Sequence, residues 1–364
     1  MHDIQVGRLQ YGMEVVRNVP TQWLRPDKWR SQGIGTFCSV QSSHRERNMK
    51  TRIGFIVLLL AGSLCARGTT IINPAQTLTG EIRSAGAVEV FEFVGTVGET
   101  VAILMGQTGG TDSFHPLVEL RGPDGSLVAQ GTGADAAYIA PRRLTSTSLY
   151  QIRCRDAHNL ETAGFALTLI KMPGSSVAAP DGGTIAPGES KTGFIALGDL
   201  DTFDFTLAAS ASVQIHMRQI SGTSHFDPAL ELYDGAGTLL ATASGSESAS
   251  ISICMARSGT YQVLCRDEHV SFDAAYTLSL QAQPILPPLP ANGPDDPSLA
   301  IVRCNTDVIL QWRTNALGFR LESASMVPST DWSPVADMPQ AIEDRFSVTQ
   351  AVTAGTRFYR LHRP

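Results

Sequence analysis

YQIRCRDAH (residues 150–158) returns as YQVLCRDEH (261–269), an offset of 111. A cysteine, an arginine, an acid and a histidine within five residues resemble a metal or catalytic site built twice. Strand parity argues otherwise. In an extended chain alternate residues share a face. Tyr150, Ile152, Cys154 and Asp156 therefore fall on one face, with Gln151, Arg153 and Arg155 on the other. In the second copy Tyr261, Val263 and Cys265 share the first face, with Gln262 and Arg266 on the second. Each cysteine continues an apolar row, where a thiol behaves as a small core residue. Metal ligation by Cys154 with His158, or by Cys265 with His269, would need a core-facing and a loop residue at one point. The stretch is read as one strand of a duplicated β domain. Arg and Asp at its end are expected to fix the next loop through hydrogen bonds. Whether Asp156–His158 and Asp267–His269 touch a ligand is left open by the sequence.

The duplication extends outward from there. FHPLVELRGPDGSLVA (114–129) matches FDPALELYDGAGTLLA (226–241), and VEVFEF (88–93) matches LDTFDF (200–205), both at an offset of 112. FALTL (165–169) matches YTLSL (276–280) at 111, so one residue is lost between the two blocks. Such self-similarity marks repeated structural units, here at 70–172 and 184–283. Within them VEVFEF, LVELRG, SLVAQG, LYQIRC and FALTLI alternate apolar and polar residues between Gly, Pro, Asp and Ser turns. Short alternating strands with turn punctuation predict an antiparallel β-sandwich in each unit. The same parity puts Phe91, Phe93, Phe203, Phe205, Tyr150 and Tyr261 in the cores.

Met49-Lys50-Thr51-Arg52 precedes the apolar run IGFIVLLLAGSL, the form of a secretory signal peptide at 49–66. Residues 1–48 then read as an upstream extension, with translation starting at Met49. Cys65 sits where a lipoprotein cysteine could lie, but Leu64 before it is a poor fit, so lipidation is the minor reading. Residues 1–52 hold 9 Lys/Arg and 4 Asp/Glu, which leaves 19 bases, 30 acids and a net charge of −11 for the remainder. An acidic body argues against nucleic acid as partner. No stable membrane span is expected in the mature chain. The protein is expected to be secreted or at the cell surface.

The six cysteines are Cys38, Cys65, Cys154, Cys254, Cys265 and Cys304. The four that would survive processing are scattered and do not form a disulfide framework. A Cys254–Cys265 bridge is disfavoured, because Ile251, Ile253 and Met255 share a face that excludes Cys254. Nucleophile elbows, HExxH, DxDxDG loops, P-loops and dinucleotide fingerprints are absent from the sequence. Only His158 and His269 correspond between the copies; His115, His216 and His225 do not. No catalytic residue is assigned, and the chain is expected not to be an enzyme.

GDLDTFDF (198–205), FDPALELYDGAGTLLA, SGTYQVLC and AAYTLSL (274–280) resemble, in that order, the bacterial pre-peptidase C-terminal (PPC) domain. That module is a jelly-roll-like sandwich appended to secreted peptidases and other extracellular proteins. The resemblance covers both copies and is weaker in the first, where GAVEVFEF lacks the paired aspartates. Some collagenase-type relatives bind calcium through acids near the first strands. The resemblance thus makes Asp199, Asp201 and Asp227 the candidate calcium ligands, with Asp234 a further possibility and only Glu89 at that place in copy one. A solvated acidic turn is the competing reading. PILPPLPANGPDD (284–296) is a Pro-rich linker. The segment 297–364, with Trp312, Phe319, Leu321, Trp332, Phe358, Tyr359 and Leu361, resembles a small C-terminal β module of secreted Gram-negative proteins. Both tryptophans are placed in its core.

These readings imply an exported, all-β, non-catalytic protein of two tandem sandwiches and a small β module. Its expected partner is an extracellular protein or polysaccharide. The alternative is an accessory or secretion-assisting partner of a peptidase carried on another chain, with calcium as the one cofactor considered.

Overall fold

The computed structural model describes residues 69–174, 182–289, 297–326, 331–352 and 356–364. The expected signal peptide, the stretch before it, Cys65 and part of the Pro-rich linker lie outside the described residues. The described residues contain no helix, and none long and apolar enough to cross a membrane.

The first nine strands are β1 (Thr70–Ile71), β2 (Gln76–Ile82), β3 (Glu89–Gly95), β4 (Thr100–Gln107), β5 (Pro116–Arg121), β6 (Leu127–Thr132), β7 (Ala136–Arg143), β8 (Ser148–Asp156) and β9 (Ala163–Met172). They form a five-stranded sheet, β1-β3-β8-β5-β6, and a four-stranded sheet, β2-β9-β4-β7. The next nine are β10 (Gly182–Thr184), β11 (Ser190–Ile195), β12 (Asp201–Leu207), β13 (Ala211–Gly222), β14 (Pro228–Asp234), β15 (Leu239–Ser244), β16 (Ser248–Met255), β17 (Gly259–Asp267) and β18 (Ala274–Pro284). Their sheets are β10-β12-β17-β14-β15 and β11-β18-β13-β16, the same strand order as before. Pairing is antiparallel except at one edge of each five-stranded sheet, where β1 runs parallel to β3 and β10 to β12.

The residue lost between the copies falls in one hairpin. Positions 144–147 join β7 to β8, whereas positions 256–258 join β16 to β17. The β5–β6 and β14–β15 hairpins carry the same register shift, at Leu120/Arg121 and Leu232/Tyr233. Each turns through a left-handed glycine, Gly125 (φ +78°) and Gly237 (φ +74°), a conformation glycine adopts without steric cost.

Cores follow the parity. Phe91, Phe93, Tyr150, Ile152 and Cys154 are buried in the first, and Phe203, Phe205, Tyr261, Val263 and Cys265 in the second. Phe93 stacks on Tyr150 at 5.6 Å and Phe205 on Tyr261 at 5.5 Å. The tyrosine hydroxyls donate to the Ser146 and Arg257 carbonyls, at 3.0 and 2.7 Å.

Parity fails where the sandwiches meet. Every residue of β4 from Thr100 to Gly106 is buried. Val101, Ile103 and Met105 face the first core, while Ala102 and Leu104 join Ile170, Met172, Leu200, Tyr233 and Leu264 in a second apolar cluster. The four-stranded sheet of the first sandwich thus packs on the five-stranded sheet of the second. The contact is close: a Cβ added at Gly106 would lie 2.3 Å from the Gly198 nitrogen. Polar groups lock it, with Thr100 Oγ1 donating to the Gly237 carbonyl (2.8 Å) and Thr168 Oγ1 to that of Gly198 (2.7 Å).

The C-terminal module comprises β19 (Ala300–Cys304), β20 (Asp307–Arg313), β21 (Arg320–Ala324), β22 (Ser333–Pro334), β23 (Gln340–Ile342), β24 (Arg345–Ala351) and β25 (Phe358–His362). These pair as β19-β20-β24-β23 and β22-β21-β25. Leu310, Trp312, Ala316, Leu321 and Val348 form its core. Trp332 departs from expectation: it lies half-buried outside that cluster, covered by the Arg360 guanidinium 4.4 Å from its ring.

The cysteine expectation also needs correction. Cys254 is bonded to Cys304, tying β16 to β19. Parity rightly turned Cys254 away from its own core, and the partner it meets lies in the next module.

Candidate functional site

The loop after CRDAH and its copy are built on one plan. Asp156 ends β8 and is buried; its Oδ1 accepts from the His115 amide at 3.0 Å, and its Oδ2 from those of Leu160 (2.8 Å) and Glu161 (3.3 Å). Asp267 ends β17 and does the same for Asp227 (2.9 Å), Ser271 (3.0 Å) and Phe272 (3.3 Å). Burial pushes the Asp156 carboxyl up, but four backbone amides together outweigh it and hold it below the usual carboxylate range. Left-handed Asn159 and Val270 close the two turns.

The arginines of the pentads point the other way. Arg155 pairs with Glu119 at 3.3 Å and Arg266 with Glu231 at 3.1 Å. Arg266 also reaches the seam between the sandwiches, its guanidinium 5.4 Å from the Tyr138 ring centroid. The aspartates and arginines bond the following loop, as expected; the reach of Arg266 to the seam is a further role that the sequence did not announce. Cys154 and Cys265 face the cores, away from any ligand.

Around Asp156 the first sandwich gathers a further residue. His115 immediately precedes β5, and its carbonyl accepts from the Ala157 amide at 2.8 Å, so it faces the loop that carries His158. The two imidazole rings meet edge to face at 4.7 Å. Ligand atoms of His115, Asp156 and His158 all lie within 4.8 Å of one another, the one group of three or more such side chains among the described residues. In the second sandwich Asp227 occupies the place of His115, and its Oδ2 pairs with His269 Nε2 at 3.1 Å. His115 has no histidine counterpart in the second copy, so recurrence of histidines does not reveal it. The aligned FHP and FDP, where His115 meets Asp227, carried the signal.

The three aspartates expected as calcium ligands occupy separate settings. Asp199 lies at the seam, where its Oδ1 accepts from Thr77 Oγ1 of the first sandwich (2.8 Å) and from the Leu200 amide (2.9 Å). Asp201 is buried in the second sandwich and accepts from the Tyr276 hydroxyl at 2.6 Å. Asp227 belongs to the pair with His269, and Asp234 caps its own hairpin through the Ala236 and Thr238 amides. Calcium needs six to eight oxygens around one point, and these residues are not gathered around one. Glu89 does hold the place of Asp201 in copy one, since Glu89 pairs with Cys154 as Asp201 pairs with Cys265.

Clefts open at the seams. One of about 400 Å³ lies between the second sandwich and the C-terminal module, lined by Cys254, Arg257, Tyr261, Cys304 and Asp307 among others. Another of about 440 Å³ lies where Thr100 and Arg143 meet Tyr233 and Gly237.

No protein-family model and no curated protein matches the chain. Among solved structures it is similar to the pre-peptidase C-terminal domain of collagenase from Bacillus anthracis, at 16% identity and a TM-score of 0.25, over 29% of this chain and 99% of that one. It is also similar to the PBSX exported protein XepA, at 8% identity and a TM-score of 0.21, over 58% of this chain and 88% of that one. Tripeptidyl peptidase 2 is matched at 11% identity and a TM-score of 0.22, over 79% of this chain and 27% of that one. These likenesses concern the fold and assign no ligand.

Proposed function

We propose that this chain is an exported, non-catalytic protein that binds an extracellular protein or polysaccharide, with two PPC-like sandwiches as its scaffold. The observation that carries the reading is the Cys254–Cys304 bond between two modules. Disulfides persist in oxidising compartments and are rare in the cytosol, so the bond supports work outside the cytoplasm. The glycine-close seam and the disulfide fix loops and clefts of three modules relative to one another, and ligand sites favour such domain boundaries. A preorganised surface loses little entropy on binding.

The test is an array of matrix proteins and glycans probed with residues 66–364, with and without calcium, since calcium is the cofactor expected from the resemblance. Saturable binding to a member of the array is the expected result. Silence across the array, or turnover of a casein, collagen or glycan substrate by repurified untagged protein, would sink the reading.

A further inference from the structure

We infer that His115, His158 and Asp156 form a binding site for a divalent transition cation of the zinc class on the first sandwich, independent of the binding function proposed above. Three observations converge on it.

The first is the state of the His115 ring. Its Nδ1 lies 2.8 Å from the Ser113 carbonyl, which can only accept. In the neutral imidazole this contact places the ring proton on Nδ1 and leaves the Nε2 lone pair for a ligand. A hydrogen bond from the far ring nitrogen to a carbonyl is the arrangement that orients metal-ligating histidines.

The second is the donor set. Two imidazoles and one carboxylate suit zinc, copper or nickel and leave a coordination position open; calcium, which wants oxygens, is a poor match. The Asp156 carboxylate is fixed in place by the amides of His115, Leu160 and Glu161, which donate to its two oxygens. Tetrahedral ligation at about 2.0–2.1 Å sets ligand atoms roughly 3.3 Å apart, whereas the three groups span up to 4.8 Å. The exposed His158, two residues past the strand, supplies the closing movement.

The third is the second sandwich, which serves as an internal control. The Asp267 loop forms the same backbone hydrogen bonds with Asp227 standing where His115 stands. The loop scaffold thus does not require a histidine there. What His115 changes is the chemistry: an Asp–His contact becomes a pair of imidazoles beside a buried carboxylate.

The experiment titrates the untagged, chelator-treated chain with Zn²⁺ by calorimetry. Wild type is expected to bind one equivalent. His115→Ala and His158→Ala are each expected to weaken it at least about ten-fold, with metal-free melting temperatures unchanged, while His269→Ala binds as wild type. His115→Asp covers the case in which truncation disturbs the loop. It installs the side chain the second sandwich carries and should weaken zinc by pairing with His158. X-ray absorption of the loaded wild type should show two imidazole nitrogens. Absence of binding in wild type, undiminished binding in either His115 or His158 variant, loss of the site in His269→Ala, or a spectrum without two imidazoles would each overturn the assignment.

Discussion

Cys254 and Cys304 are bonded across the boundary between the second sandwich and the C-terminal module, with Cα atoms 5.4 Å apart and a separation of 50 in sequence. The bond does not stand alone. Asn305 Nδ2 donates to the Cys254 carbonyl, Arg257 pairs with Asp307 at 3.1 Å, and Thr349 Oγ1 donates to the Ala256 carbonyl at 2.9 Å. The polar contacts are partly exposed and individually worth little, so the covalent bond is the main restraint on the small module.

Cys304→Ala should therefore act on the C-terminal module. Closing a 50-residue loop restricts the unfolded chain by about 4 kcal/mol on the chain-entropy account. The expected outcome is a lower-melting transition for residues 297–364, and faster protease cleavage there, with the sandwiches' transition little moved. Calorimetry that shows one unchanged transition would contradict this.

The remaining thiols should be inert in the folded protein. Cys154 and Cys265 are fully buried, and burial pushes both well above the ordinary thiol range, with Glu89 and Asp201 adding to it. A thiol reagent acts on the thiolate and needs access to it. For residues 66–364, Ellman titration should find no reactive thiol under native conditions and two after unfolding in guanidinium. Fast native labelling of either would refute the core placement.

What was legible in the sequence follows from what strand parity can carry. The row Tyr150, Ile152, Cys154 and Asp156 was readable because one face meets a core and the other does not. Thr100–Gln107 was not readable as an alternating strand, because TVAILMG is buried on both faces. Its outer face is covered by Leu200, Tyr233 and Leu264 of the next sandwich, and nothing local announces a cover supplied by distant residues. The disulfide was hidden for the same reason: parity gave the direction of Cys254 but not the module it reaches. Of the His–Asp–His cluster, Asp156 and His158 were visible in the pentad. His115 was hidden because it lies far off in sequence, just before β5, and has no histidine counterpart in the second copy.

The seam should be intolerant of a single methyl. At Gly106 a Cβ would lie 2.3 Å from the Gly198 nitrogen and 2.7 Å from the Leu197 carbonyl carbon, both backbone atoms that cannot rotate away. Gly106→Ala is expected to cost about 1–3 kcal/mol through overpacking and to separate the melting of the two sandwiches. Gly109→Ala, where an added Cβ meets nothing within 4 Å, is the control and should leave the melt single. If both substitutions behave alike in calorimetry, the seam does not couple the two sandwiches.

The loop carboxylate at Asp156 should give the first sandwich an acid-sensitive component. Its pKa is depressed in the folded state, so its contribution is present above its unfolded value, near 3.9, and is lost as pH falls through the folded value. Asp156→Asn keeps the shape but offers one acceptor oxygen where amides of His115, Leu160 and Glu161 need two. Leaving a part-buried amide unmatched costs about 1–3 kcal/mol, so the variant should be less stable by about that much at pH 7. As pH falls below the unfolded value, the unfolded carboxyl takes up a proton first and the advantage of the ionised, amide-bonded folded form declines. The gap between the two urea midpoints should therefore narrow at pH 3. A gap of equal size at both pH values would show that the loop is held by packing rather than by the carboxylate.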